Sequence, residues 1–103
     1  MNAKEFADVV DTQMQICQLM LGVKAAEYAS DEDRLYNFKV AAGLQGVTPQ
    51  EALAGMMAKH TVSVYDLIRQ DSVTMSMWEE KISDHINYLL LLKAVLIEDQ
   101  KSE

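Results

Sequence analysis

Proline occurs once in this sequence of 103 residues, at position 49, and glycine four times. That scarcity of turn-forming residues excludes a β-sandwich or barrel of many short strands and suits long helices. A lone cysteine, Cys17, excludes an intramolecular disulfide framework. No long apolar run is present either: the densest, Tyr88 to Leu92, stops at Lys93, too short to span a bilayer. The opening residues Lys4, Glu5, Asp8 and Asp11 break any secretory leader pattern. Basic residues are few, 9 against 16 acidic ones, and the net charge is -7. Such a chain repels a polyphosphate backbone, which argues against non-specific nucleic-acid binding. What remains is a globular composition, half hydrophobic and 24% charged. A single cytoplasmic domain over 1–103, with no membrane association, is expected.

The hydrophobic pattern predicts four helices. The first starts at Asn2, which pairs with Glu5 as a capping box, and runs to about Ala29. Phe6, Val10, Cys17, Met20 and Leu21 recur on it at helical spacing. The second is short, with Ser30 and Asp33 as its expected cap, Leu35, Phe38 and Ala42 as its stripe, and Gly43 and Gly46 as its end. Thr48, Pro49 and Glu51 mark the start of the third. Its stripe, Leu53, Met56, Met57, His60, Val64, Leu67 and Ile68, runs through the strand-like segment 61–65 at helical spacing. After a polar linker from Asp71, Ser76 and Glu79 are the expected cap of the fourth helix, which ends near Asp99.

The fourth helix is apolar on two sides: Trp78, Ile82, His85, Ile86, Leu89, Leu92 and Leu96 on one, Tyr88, Leu91 and Val95 on the other. A helix apolar around most of its girth is covered on more than one side. The expected fold is therefore an all-α, four-helix bundle-like domain with long first and last helices, completed by homo-oligomerisation.

Polar residues on apolar faces are the candidates for chemistry, because a buried charge needs a compensating partner. Gln13, Lys24 and Glu27 share a side of the first helix with Phe6, Val10 and Cys17. Asp84 is in line with Tyr88, Leu91 and Val95, one turn after Glu80. Lys59, Ser63 and Asp66 flank the third stripe. Carboxylates facing each other across helices are how bundles hold divalent ions, and Mg²⁺ retained in this way suits a nucleotide phosphate. Simpler readings stand beside these: Glu80 and Asp84 as a solvated flank, Lys24 and Glu27 as a surface pair, Cys17 as a buried thiol, His60 and His85 as core histidines. The segment Gly43-Leu-Gln-Gly46 lacks the Lys and Ser/Thr of a phosphate-binding loop, and no zinc-ligand spacing or nucleophile elbow occurs.

The segments Tyr28–Arg34, Asn37–Lys39, Lys59–Asp66 and Asp84–Tyr88 together resemble short helical proteins of unknown function encoded by phages and prophages of Gram-positive bacteria. A looser resemblance, carried by Glu80, Asp84, Asn87 and Tyr88, is to MazG-type all-α nucleotide pyrophosphatases and to nucleotide-modification-associated helical domains. That likeness implies a Mg²⁺ site of paired acids in an oligomer. The chain departs from the pattern, since no Glu-x-x-Glu pair precedes the fourth helix. A changed site, or a scaffold without catalysis, would follow from that departure.

Two functions are therefore expected. One is a non-enzymatic, self-associating interaction or regulatory protein. The other is a Mg²⁺-dependent nucleotide binder or nucleoside triphosphate pyrophosphatase. In the second, Glu80 and Asp84 would bind metal with Glu27 or Asp31, Lys24 or Lys59 would bind phosphate, and Asn87 or Tyr88 the sugar or base.

Overall fold

The computed structural model describes residues 1–28 and 33–101, residues 24–28 by their backbone only. Four helices follow one another: α1 (Ala3–Tyr28), α2 (Tyr36–Gln45), α3 (Pro49–Ile68) and α4 (Met75–Lys101). No strand occurs among the described residues, and the segment 61–65 is helical. There the Thr61 hydroxyl donates to the Met57 carbonyl at 3.4 Å and the Ser63 hydroxyl to the Lys59 carbonyl at 3.0 Å, so their side chains turn back onto the helix instead of competing with it.

Local chemistry sets the helix ends. Asn2 Oδ1 accepts from the Glu5 N–H at 2.8 Å, while Glu5 Oε1 accepts from the Asn2 N–H at 3.5 Å. At α3, Thr48 and Glu51 form the same reciprocal box, with Pro49 following the cap. Two expected boundaries move. α2 begins at Tyr36, with Leu35 at the cap position, because Asp33 spends its carboxylate one turn earlier, accepting from the Leu35 N–H at 3.0 Å; Ser30 lies outside the described residues. α4 begins at Met75, because the Thr74 hydroxyl accepts from the Met77 N–H at 3.2 Å. Thr74 therefore takes the capping role expected of Ser76. Gly43 does not end α2, which continues to Gln45; Gly46 does, at φ 70°, its N–H and that of Val47 both donating to the Ala42 carbonyl.

The core lies between α2, α3 and α4. Leu35, Phe38, Leu53 and Val95 are its buried centre, with Met56, Tyr88, Leu91 and Leu92 packed against them. Val95 and Leu91, on one of the two apolar faces of α4, are thus used inside the chain. The other face is covered only in part: Leu92 packs against the core and Trp78, His85 and Ile86 are half-buried, whereas Ile82, Leu89 and Leu96 are exposed. Ile68 is exposed too, although its neighbour Leu67 is buried.

α1 packs against α4. Its stripe is only half used. Cys17 is buried, and Gln13, Ile16, Met20 and Leu21 are half-buried, whereas Phe6 (60% exposed), Val9 and Val10 face open space. Every residue from Met1 to Thr12 is exposed.

Candidate functional site

Beneath α1 runs a closed polar seam. Gln13 and Cys17 are one turn apart on α1; Ser83 and Asn87 are one turn apart on α4. Facing pairs at i, i+4 meet because that spacing stacks side chains on one side of a helix. Gln13 Nε2 donates to Ser83 Oγ at 2.7 Å and sits 3.3 Å from Cys17 Sγ. The Cys17 thiol points to the Ser83 carbonyl at 3.9 Å, and Asn87 Nδ2 donates to the Cys17 carbonyl at 3.2 Å. Cys17 and Ser83 have no solvent exposure and Asn87 is 4% exposed. Asn87 Oδ1 has no hydrogen-bond partner among the described residues. A thiol and a hydroxyl shut in this way meet no substrate; the seam orients α1 on α4.

On its next sector α4 turns Asp84 and Tyr88 toward α3. Asp84 is buried, with Oδ2 3.8 Å from His60 Nδ1. That distance is beyond hydrogen bonding and is attractive when the imidazole is protonated. The His60 ring also lies against Tyr88, with centroids 4.6 Å apart at 36°. One turn of α4 therefore divides its duties: Ser83 and Asn87 serve α1, Asp84 and Tyr88 serve α3.

The sequence candidates separate accordingly. Asp84 is buried beside His60, whereas Glu80, one turn earlier, is exposed. Asn87 is a seam residue and Tyr88 a stacking one, while Lys59 is exposed on α3. The side chains of Lys24 and Glu27, and Asp31 as a whole, lie outside the described residues. Among those described, no three His, Cys, Asp or Glu side chains are placed to hold a metal ion.

Sequence reading misses Ser83. The signal was available: Ser83 and Asn87 share a side of α4 at i, i+4, between Asp84 and an apolar neighbourhood. It also misses Lys39, which ties α2 to Asp33 just before it at 2.8 Å and to α4 through Glu98. The hydrogen bond to Lys39, aided by the Leu35 N–H, lowers the Asp33 pKa from its usual value; the hydrogen bonds to Asp33 and Glu98 raise that of Lys39. A hollow of about 260 Å³ opens beside them, lined by Lys39, Pro49, Val95 and Glu98 among others. Its lysine, Lys39, is already engaged by Asp33 and Glu98.

Compared with protein-family models, curated proteins and solved structures, the chain matches none.

Proposed function

We propose that this chain is a self-associating helical interaction protein, acting as a regulator or assembly factor rather than through an active site. The observation that carries this reading is the uncovered stripe of α1, where Phe6, Val9, Val10 and Met14 are exposed on the N-terminal half. Its apolar residues continue the face that Cys17 and Met20 turn to α4, so the surface is patterned for burial. The open face of α4, with Ile82, Leu89 and Leu96, is a second such surface. Contiguous apolar patches of this kind mark interaction sites. The resemblance to phage and prophage helical proteins gives the context in which such a role is proposed.

Sedimentation equilibrium at micromolar concentration tests it. A dimer would have twice the 11.6 kDa chain mass; a monomer across the range removes the reading. Nucleotide handling with Mg²⁺ has one observation in its favour, the buried Asp84 carboxylate. If it holds, Mg²⁺ or Mn²⁺ with a nucleoside triphosphate raises the melting temperature and Asp84→Asn abolishes the rise. An unmoved melting curve removes it.

A further inference from the structure

The chain is too open for its length. A compact chain of this size has a radius of gyration of about 13 Å, against the 15.7 Å observed over extents of 45 × 28 × 25 Å. Its accessible surface is 7491 Å², roughly 1,650 Å² more than a folded monomer of its mass exposes. Burying that excess on each of two copies would give an interface of about 3,300 Å², within the range of obligate homodimers.

Two parts of the exposed apolar surface have matching character. One is the α1 half with Phe6, Val9, Val10 and Met14. The other is the strip Trp78, Ile82, Leu89 and Leu96 along α4, all within a narrow angle at 100° per residue. Trp78 is half-buried and the other three are exposed. His85, on the same strip, has a buried Nδ1 without a hydrogen-bond partner among the described residues. From Trp78 to Leu96 the strip is about 27 Å long at the helical rise, enough for the free half of α1 at about 18 Å. The exposed patch on α3, Val62, Tyr65 and Ile68, covers only about 9 Å.

We propose that two copies pair by reciprocal use of α1, the N-terminal half of each lying along the α4 strip of the other. This rests on the self-association reading and specifies its occupant as a second copy of this chain. Each copy has one arm and one strip. A twofold axis satisfies both at once and closes the assembly, whereas a one-sided contact would leave an arm free to propagate.

Mixed disulfide trapping tests the arrangement. Chains carrying Val9→Cys are co-refolded with chains carrying Ile82→Cys, Leu89→Cys, Leu96→Cys or Val62→Cys, then oxidised; the native Cys17 is fully buried. The expected result is a mixed disulfide between Val9→Cys and an α4 position. Cross-linking to Val62→Cys, of Val9→Cys to itself alone, or of nothing, in a protein that sediments as a dimer, overturns the arm exchange and leaves self-association standing. A monomeric wild type overturns both. Phe6→Glu with Val10→Glu is the second variant. Both sites are exposed within one chain, so helicity should persist while the dimer dissociates; a dimer that survives the pair of charges also overturns the proposal.

Discussion

Gln13 Nε2 donates to Ser83 Oγ at 2.7 Å, a contact between residues 70 positions apart that places α1 on α4. Ser83 is fully buried whereas Gln13 is half-buried, so only the hydroxyl is cut off from water when its partner is lost. Gln13→Leu, which strands the buried hydroxyl, should therefore cost about 1–3 kcal/mol, and Ser83→Ala less. The double variant should lose less than the sum of the two, since both delete one interaction. Urea melts of the four proteins measure this; strict additivity would show that the contact is not shared.

Two glycines in and after α2 should respond with opposite sign. Gly43 is helical and a Cβ there meets nothing within 4 Å, so Gly43→Ala should stabilise by about 0.5–1 kcal/mol. Gly46 also has space, but its φ of 70° is left-handed. Gly46→Ala should destabilise by about 1–2 kcal/mol. Thermal melts that shift in the same direction for both would contradict the helix end described here.

The start of α4 separates two adjacent hydroxyls. Thr74→Ala removes the side chain that accepts from the Met77 N–H and should cost about 1 kcal/mol. Ser76 is exposed and already inside the helix, so Ser76→Ala should stay within about 0.5 kcal/mol of wild type. Equal losses in chemical denaturation would return the cap to Ser76.

Lys39 sets a pH window. Asp33 is lowered from 3.8, so its contribution is complete above that pH and disappears as pH falls through the lower folded-state value. Lys39 is raised from 10.5, so its contribution is complete below that pH and disappears as pH rises through the higher folded-state value. Between these limits the melting-temperature gap between wild type and Lys39→Met should be constant. It should narrow in acid, in strong alkali and in 1 M salt, where the Debye length is about 3 Å. A gap that does not narrow as acid is added would assign the effect to the packing of the lysine stem.

Local signals were legible where the physics was local. The capping boxes at Asn2–Glu5 and Thr48–Glu51 need only residues three apart, and both form as the pattern predicts. The apolar spacing of α3 carried the helix through its β-branched segment for the same reason. Where two neighbouring residues could cap, as Thr74 and Ser76 could, spacing alone did not choose. The candidate site was legible in part: Asp84 was singled out for its apolar line, and it is buried, but no sequence rule distinguishes a line that faces α3 from one that faces a ligand.

By itself the sequence determined four helices and two apolar sides on the last of them, because periodicity is a property of one helix in isolation. Only the tertiary structure decided which side is which. It spent Leu91 and Val95 on α2 and α3, used Ser83 and Asn87 to hold α1, and left Ile82, Leu89 and Leu96 open. That choice depends on the angles at which four helices pack, which the periodicity of a single helix does not carry.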